Sequence, residues 1–271
     1  MISFPNAKIN LGLNIVSKRE DGYHNLETIF YPITIHDALE IIEAKDSPHD
    51  TLIEAGNKVE THADDNLVMK ALRAMRSKYD FPKLDVHLLK KIPFGAGLGG
   101  GSADAAFMLR LINDKFELGA SDKELADIAV KLGADCPIFI YNRPMYAEGI
   151  GEKLENIDLS LKGYYLVLVK PDVFVSTKDA FSKIKPTTPQ MNLRTVAKLP
   201  IGEWKNHMIN DFETSIFSLY PQVGEIKEEL YKQGALYASM SGSGSSVFGI
   251  FENEVDLHSE FESHFYWGGT L

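Results

Sequence analysis

A glycine-rich stretch in the middle of the chain has the composition of a phosphate-binding loop. Residues 92–113 read IPFGAGLGGGSADAAFMLRLIN, in which five glycines fall within the seven residues Gly95–Gly101. Glycine adopts positive φ easily, so successive backbone N–H groups can turn toward one point and bind an anion. A helix that begins near Ser102 would add N–H groups and partial positive charge at its start. The pattern therefore predicts a cradle for phosphate.

Three known glycine loops do not fit this stretch. The Walker A loop requires a lysine directly before its Ser or Thr, and Ser102 follows a glycine. Gly95, Gly97 and Gly100 match G-x-G-x-x-G, but the acidic residue expected about 20 residues later would fall at a predicted helix start, Ser121–Glu124. The protein-kinase loop requires H-R-D and D-F-G motifs that the sequence lacks. A turn without a ligand is disfavoured, because ordering each glycine costs about 0.5–1 kcal/mol relative to alanine.

Two segments near the N-terminus would position polar side chains. Apolar and polar residues alternate over residues 8–15, which predicts a strand with one buried face and places Lys8 and Asn10 on the other face. Asp21-Gly22 then predicts a tight turn, after which Tyr23 and His24 follow.

The remaining pattern predicts an α+β protein in two parts, residues 1–155 and residues 156–271. Ser121 with Glu124 has the spacing of a capping box, and Gly133 is a candidate C-cap. Strands are expected over residues 26–42, 84–89, 138–141 and 164–171, with a strand–glycine–strand unit at the end. Helices are expected over residues 65–79, 103–113 and 121–133, from Ser176, and between 192 and 233, and residues 149–163 are expected to form a connection.

Composition limits the class of protein. The 271 residues are 44% hydrophobic and 24% charged, as in a globular protein, and the net charge of −10 argues against broad nucleic-acid binding. Cys136 is the single cysteine, which excludes an intrachain disulfide and a cysteine-based metal site. The first residues lack the pattern of a signal peptide, and no apolar run reaches about 18 residues. We therefore expect a cytoplasmic protein that does not enter a membrane.

The glycine stretch resembles the second motif of the GHMP kinases, the superfamily of galactokinase, homoserine kinase, mevalonate kinase and phosphomevalonate kinase. The run from Pro93 to Ala103, PFGAGLGGGSA, is similar to their P-x-x-x-G-L-G-S/G-S-S-A pattern. MSGSGSSVFGIF, residues 240–251, resembles their third motif, a glycine loop near the C-terminus. The resemblance implies an N-terminal α+β domain and a ferredoxin-like C-terminal domain, with the active site in the cleft between them.

Two further stretches resemble one branch of that superfamily. FPNAKINLGLNIVSKREDGYHNLETIF and LGADCPIFIYNRPMYAEGIGE are similar to the segments of the kinases that act on a cytidine diphosphate-linked methylerythritol. The resemblance, which spans about residues 3–251, implies ATP-dependent phosphorylation of the 2-hydroxyl of 4-diphosphocytidyl-2-C-methyl-D-erythritol in the non-mevalonate route to isoprenoids. It further implies Mg²⁺, a small-molecule partner and a monomer or weak homodimer.

The resemblance assigns ATP binding to the motif and to residues beside it. The motif residues are Pro93, Phe94, Gly95, Ala96, Gly97, Leu98, Gly99, Gly100, Gly101, Ser102 and Ala103. Relatives often carry a second serine where Ala103 stands, so a contact made by that hydroxyl would fall to Ser102 or water. Asn66 would contact adenine or cap a helix, and Lys90 would steer the nucleotide or be a solvated charge. Asp104 would help hold Mg²⁺ or, as we favour, stabilise the helix N-terminus; no residue is assigned as a metal ligand.

The resemblance also implies the catalytic residues. Asp135 would be the general base that takes the proton of the substrate hydroxyl, since the attacking alcohol needs a proton acceptor. A turn-stabilising aspartate is the alternative from spacing alone. Lys8 would keep Asp135 ionised and stabilise charge on the transferred phosphoryl group, or would be an ordinary solvated lysine.

Substrate contacts are implied at three places. Tyr23 would stack on the cytosine ring, with Phe181 on the opposite face, and His24 would hydrogen-bond to the edge of the base. Asn10 would orient the substrate. Two glycines of the third motif, Gly242 and Gly244, would approach the substrate diphosphate. The alternatives are a core aromatic for Tyr23 or Phe181, a polar strand-edge residue for Asn10, and a tight hairpin for the glycines.

Overall fold

The structure, a computed structural model, describes residues 1–45, 47–57 and 65–271. The strands in chain order are β1 (Ile2–Ser3), β2 (Asn6–Lys18), β3 (His24–His36), β4 (Ala38–Glu43), β5 (Thr51–Gly56), β6 (Leu84–Lys90), β7 (Met145–Gly149), β8 (Lys153–Asn156), β9 (Tyr165–Lys170), β10 (Tyr237–Met240), β11 (Val247–Phe251) and β12 (Phe265–Thr270). The helices are α1 (Leu67–Arg76), α2 (Gly100–Lys115), α3 (Asp122–Ala129), α4 (Cys136–Tyr141), α5 (Thr177–Phe181), α6 (Leu193–Val196), α7 (Ile201–Trp204), α8 (Phe212–Leu219) and α9 (Pro221–Lys232).

The chain divides into two compact units. Unit 1 comprises residues 1–7, 35–94 and 99–143, and unit 2 comprises residues 8–34, 95–98 and 144–271.

Unit 1 contains a four-stranded sheet and helices α1 to α4. The strand order is β1-β4-β6-β5, and β5 is parallel to β6 while the other pairs are antiparallel. Helix α2 packs against α1, α3 and α4. Its alanine-rich start allows this close packing, since Ala103, Ala105 and Ala106 are all fully buried.

Unit 2 contains two four-stranded sheets. The first has the order β2-β3-β7-β8, and the second has the antiparallel order β10-β11-β9-β12. Numbered along the chain, the strands of the second sheet follow the ferredoxin-like order that was expected for the C-terminal part. Helices α8 and α9 cover this sheet with apolar residues that include Phe212, Ile216 and Val223. The α+β class is confirmed.

The first strand differs from the prediction of one buried face. Every residue from Asn6 to Ile15 is buried, so the polar residues Lys8 and Asn10 are as enclosed as their apolar neighbours. Alternation shows which side chains share a face, but it does not show whether a second layer covers the polar face.

The element around Asp135 was also predicted wrongly. Residues 138–141 belong to α4 rather than to a strand. The prediction failed because a short apolar run has no periodicity that distinguishes a helix from a strand. Pro137 lies in the first turn, where proline is tolerated. Helix α3 ends at Ala129, before the expected C-cap at Gly133. Residues 149–163 contain β8 in addition to a connection.

Within the described ranges, no helix combines the length and the apolar character needed to cross a bilayer.

The capping box of α3 is confirmed and gives a stability prediction. The Ser121 hydroxyl accepts from the Glu124 N–H, and the Glu124 carboxylate accepts from the Ser121 N–H at 2.9 Å. Ser121→Ala should lower the free energy of unfolding by about 1 kcal/mol, measured by urea denaturation. Glu124→Gln keeps an oxygen acceptor and should lose less. Equal loss in both variants, or none in Ser121→Ala, would contradict the cap as the cause.

Candidate active site

The glycine stretch adopts the backbone conformation that its composition predicted. Gly95, Gly97 and Gly99 have φ of 61°, 74° and 71°, which is the left-handed region that disfavours side chains. Gly99 is the N-cap of α2, so the helix begins at Gly100 rather than near Ala103. Gly100 is therefore helical, and a Cβ there would lie 2.9 Å from the Ile92 side chain.

Gly97 is held in closer contact than any side chain would allow. A Cβ at Gly97 would lie 1.9 Å from the backbone oxygen of Ser241, in the loop between β10 and β11. The Gly97 carbonyl accepts hydrogen bonds from the Ser241 hydroxyl at 2.8 Å and from Lys8 Nζ at 3.1 Å. The second and third glycine motifs thus meet at this residue.

Lys8 belongs to a buried polar network rather than to the solvent. The residue is only 3% exposed, and its Nζ donates to Asn10 Oδ1 at 2.7 Å. The Phe30 ring lies 5.2 Å from the same ammonium, within the range of a cation–π contact. The interpretation of Lys8 as an ordinary solvated lysine is wrong.

The third glycine motif forms a tight connection next to Asn10. Gly242 has φ of 55°, and a Cβ there would lie 3.3 Å from Asn10 Oδ1. Gly244 has φ of 89°, and a Cβ there would lie 2.6 Å from the Met240 sulfur. The hairpin interpretation of both glycines is correct, and their contact with a substrate diphosphate stays a prediction.

His24 and Phe181, which are far apart in sequence, are in contact. Their rings are stacked, with centroids 4.7 Å apart and an interplanar angle of 24°, and Phe181 meets Phe212 edge-on at 4.8 Å. Tyr23, which precedes His24 in the sequence, is 62% exposed. Phe181 packs against the unit 2 core on one side, so both interpretations of its ring remain compatible with the structure.

A cavity of about 380 Å³ lies along β3 directly after His24. Its lining is mixed in polarity and comprises Val16, Asn25, Leu26, Glu27, Tyr146, Glu148, Gly149, Lys153, Thr188, Pro189 and Asn192. Sequence reasoning gave no sign of this cavity, because its walls come from four separated segments.

Asp135 lies in the turn that joins the end of α3 to α4 and is half-buried at the N-cap position of α4. The next residue, Cys136, lies near Ser102, in the first turn of α2, since a Cβ at Gly133 would lie 3.3 Å from Cys136 Sγ and 3.9 Å from Ser102 Oγ. Burial raises the pKa of the Cys136 thiol to about 12, so it is not a nucleophile. The turn that carries Asp135 therefore packs against the first turn of α2, which directly follows the glycine stretch.

Lys90 is the centre of a buried ion-pair cluster in unit 1. Its Nζ contacts the carboxylates of Asp37 and Asp104, at 2.5 Å from Asp104 Oδ2. Asp37 also accepts from the backbone N–H groups of Lys91 and Ile92. The interpretation of Lys90 as a solvated charge is wrong, and its role in nucleotide binding stays a prediction.

Asp104 does not have the role that was favoured for it, and its part in holding Mg²⁺ stays a prediction. It is the fifth residue of α2, whose first turn contains no acidic residue, so the interpretation based on the helix N-terminus is wrong. Its carboxylate contacts Lys90 Nζ, while its Oδ1 has no hydrogen-bond partner among the described residues. Burial, together with the charge of Asp37, raises the pKa of Asp104 to about 7, against the opposing attraction of Lys90.

Asn66 is the N-cap of α1, as one of its two interpretations predicted. Its Oδ1 accepts from the Val68 N–H at 2.9 Å, and its Nδ2 donates to Glu54 Oε1 at 2.8 Å. The contact with adenine stays a prediction.

Three residues of these networks were missed from the sequence. Thr28 accepts from Asn10 Nδ2, Ser241 binds Gly97, and Asp37 binds Lys90. Ser241 could have been found, since it lies within the third glycine motif. Asp37 interrupts a run that was predicted as one continuous strand, and Thr28 has no distinguishing signal.

Comparison with known proteins identifies relatives along the whole chain. The models of the GHMP kinases N terminal domain and the GHMP kinases C terminal domain match residues 66–143 and 199–264. A 4-diphosphocytidyl-2-C-methyl-D-erythritol kinase of Parabacteroides distasonis is 55% identical over 273 residues, which cover 100% of both chains. One of Bacteroides fragilis is 57% identical over 98% of this chain and 97% of its own.

Solved structures agree with these relatives. The crystal structure of a 4-(cytidine 5'-diphospho)-2C-methyl-D-erythritol kinase superposes with a TM-score of 0.81 at 29% identity, covering 100% of this chain and 98% of the other. A homoserine kinase from Cytophaga hutchinsonii has a TM-score of 0.70 at 17% identity, covering 98% and 94%. The second likeness shows the fold alone.

The raised pKa of Asp104 gives a prediction for stability. The folded protein keeps this proton at pH values at which an unfolded carboxyl, with its ordinary pKa of 3.8, has released it. The contribution of Asp104 to the free energy of unfolding therefore declines as pH rises from about 4 to about 7. Asp104→Asn removes this decline. Between pH 4 and pH 7, the free energy of unfolding of the variant should therefore rise relative to that of the parent by on the order of 3 kcal/mol.

The measurement is urea denaturation of parent and variant at several pH values between 4 and 8. Asp127→Asn, in an exposed pair with Lys123 on α3, is the matched control and should show no such trend. A difference between Asp104→Asn and the parent that does not change with pH would contradict the assignment.

Proposed function

Since the chain belongs to the 4-diphosphocytidyl-2-C-methyl-D-erythritol kinase family of the GHMP kinases, we propose that it transfers the γ-phosphoryl group of ATP to the 2-hydroxyl of 4-diphosphocytidyl-2-C-methyl-D-erythritol. The observation that carries this substrate is the 55% identity to a kinase of that name over the full length of both chains. The predicted glycine cradle supports the phosphoryl-transfer chemistry independently of that identity.

The glycine stretch would hold the triphosphate. Gly95, Gly97 and Gly99 have positive φ, and the last of them opens a 16-residue helix whose first N–H groups have no acceptor within the helix. Backbone N–H groups and the partial positive charge of a helix start both favour phosphate oxygens. Bulky side chains would obstruct this approach, which accounts for the density of glycine.

Asp135 is the proposed general base. The turn that carries it packs against the first turn of α2, with Cys136 Sγ and Ser102 Oγ both within 4 Å of the Cβ position of Gly133, and this supports a role for Asp135 at the start of that helix. A carboxylate can accept the proton of an alcohol as the oxygen attacks phosphorus. No covalent enzyme intermediate is required for direct transfer.

Lys8 is proposed to stabilise negative charge on the transferred group. A lysine with few contacts to water acts more strongly on nearby charge, because the low local dielectric screens it less. Hydrogen bonds to Asn10 and to the Gly97 carbonyl hold the ammonium in place. The same amide of Asn10 is proposed to orient the substrate.

The cytidine end of the substrate is proposed to bind at His24 and Phe181, with Tyr23 over the base. The stacked pair of His24 and Phe181 already provides a flat aromatic surface in unit 2, and Tyr23 is exposed and so accessible to a ligand. Aromatic rings of this kind favour a planar base by offset stacking.

Mg²⁺ is proposed to arrive with the nucleotide. Among residues 1–45, 47–57 and 65–271, no group of three or more His, Cys, Asp or Glu side chains could hold a metal ion, and the Asp104 carboxylate is paired with Lys90. The side chains present therefore do not fit a preformed magnesium site. Phosphate oxygens and water commonly supply most ligands of this ion.

We also propose that the protein acts in the cytoplasm as a monomer or weak homodimer, with a small molecule as its partner. This location follows the expectation from cysteine usage, since the chain has a single cysteine and no intrachain disulfide to keep oxidised. The division into residues 1–155 and 156–271 likewise stays a proposal.

A substrate panel tests the proposed function against two alternatives. The purified protein is incubated with Mg²⁺, ATP and, separately, 4-diphosphocytidyl-2-C-methyl-D-erythritol, homoserine or mevalonate, and ADP release and phosphorus NMR are recorded. Transfer to the cytidyl compound alone supports the proposal. Turnover of homoserine or mevalonate but not of the cytidyl compound would favour another kinase, and ATP binding without ADP release would favour a nucleotide-binding module without catalysis.

Asp135→Asn tests the general base. The amide cannot accept the substrate proton, so kcat should fall by roughly 10²- to 10⁴-fold, while the Kd for ATP, measured by calorimetry, should stay within about threefold of the parent. Asp127→Asn makes the same chemical change at an exposed position and should have parental kcat. If Asp135→Asn keeps most of the parental kcat, another group is the base.

A further inference from the structure

The side-chain amide of Asn10 can face Lys8 in two ways that differ only in orientation. An amide presents one oxygen acceptor and one NH₂ donor on a group of nearly symmetric shape. An ammonium can only donate, so Lys8 is held by Asn10 only when Oδ1 is turned toward it, as the 2.7 Å contact shows. The ammonium therefore favours this orientation of the amide, and the contact on the other side of the amide either reinforces or opposes it.

The group that contacts the opposite side of the amide is Thr28. This residue of β3 is fully buried, and its Oγ1 accepts from Asn10 Nδ2 at 3.0 Å. A hydroxyl can donate or accept, so this contact alone would not determine which way the amide turns.

The Gly12 carbonyl removes that ambiguity. Thr28 Oγ1 lies 2.5 Å from the Gly12 oxygen, and a carbonyl can only accept. The single hydroxyl hydrogen of Thr28 is therefore committed to Gly12, which leaves only lone pairs facing Asn10. Position 12 requires glycine, because φ is 67° there and a Cβ would lie 2.6 Å from the Leu193 side chain.

We propose that Thr28 is a positioning residue for phosphoryl transfer: its hydroxyl fixes the amide of Asn10 with Oδ1 toward Lys8, and so sets the place of the ammonium. The chain of donors runs in one direction, from Lys8 to Asn10, from Asn10 to Thr28 and from Thr28 to Gly12. This inference rests on the proposed function, in which Lys8 acts on the transferred group.

Loss of the hydroxyl would release the amide. Without Thr28 as an acceptor, Asn10 Nδ2 is left buried without a partner, and a turned amide would place its NH₂ group against the ammonium. Both arrangements are unfavourable, so Lys8 would be displaced from the Gly97 carbonyl. A displacement of about 1 Å in a catalytic group can reduce a rate by about 100-fold.

Thr28→Val tests the proposal, because valine keeps the shape of the side chain and removes the hydroxyl. We expect kcat to fall by roughly 10- to 100-fold, with the KM for ATP within about threefold of the parent, since the glycine stretch is unchanged. Thr28→Ser retains the hydroxyl and should recover kcat to within about fivefold of the parent. Thr34→Val makes the same change at an exposed position of β3 and should match the parent.

A double-mutant cycle separates positioning from a purely structural role. If Thr28 acts through Asn10, Thr28→Val should cause little further loss of kcat in an Asn10→Ala background. A Thr28→Val protein that melts at a lower temperature but keeps parental kcat, or whose loss of kcat is fully additive with Asn10→Ala, would overturn the proposal. If Thr28→Val does not fold, Thr28→Ala replaces it in the same cycle.

The activity of the parent protein distinguishes a failure of the proposed function from a failure of the inference about Thr28. Failure of the parent to phosphorylate the cytidyl substrate contradicts the proposed function. An active parent with an equally active, folded Thr28→Val contradicts only the inference about Thr28.

Discussion

The contact between Gly97 and the loop after β10 constrains much of the candidate site. The backbone oxygen of Ser241 approaches Gly97 so closely that a Cβ would lie 1.9 Å from it. This approach lets the Ser241 hydroxyl reach the Gly97 carbonyl, which also accepts from Lys8. Two glycine motifs about 145 residues apart in sequence and the first long strand are thereby joined at one backbone carbonyl, that of Gly97, which accepts from a side chain of each partner segment.

Each of the two units contains a buried lysine that is held by polar partners. In unit 2, Lys8 donates hydrogen bonds to Asn10 Oδ1 and to the Gly97 carbonyl, and these two contacts hold its ammonium in place. Lys90 in unit 1 lies between two carboxylates, which offset its charge and connect the end of β6 to α2. Burying ionised groups costs free energy unless they are paired and hydrogen-bonded. Both buried lysines are held by hydrogen bonds to named partners, Lys8 by Asn10 and Gly97 and Lys90 by Asp37 and Asp104.

The sequence was sufficient for the α+β class, the capping box of α3 and the conformational role of the glycines, because each depends on local chemistry. It failed where tertiary packing decides. Residues 138–141 are helical because the neighbouring α2 and α3 pack against them, and Lys90 is buried because Asp37 and Asp104 converge on it from distant segments. The stacking of His24 on Phe181 was likewise not predictable from spacing. Resemblance to relatives supplied the candidate residues, whereas the hydrogen bonds of Thr28 and Ser241 required the structure.

The proposed ATP-binding loop is held at Gly97, a position where only glycine fits. The direct test is the Kd for ATP of folded Gly97→Ala, measured by calorimetry beside Gly119→Ala. Gly119 has φ of 72°, close to the 74° of Gly97, but no atom within 4 Å of a Cβ, so it reproduces the backbone strain without the collision. The account predicts a parental Kd for Gly119→Ala and a Kd raised at least about tenfold for Gly97→Ala. A folded Gly97→Ala protein that binds ATP as tightly as the parent would contradict it.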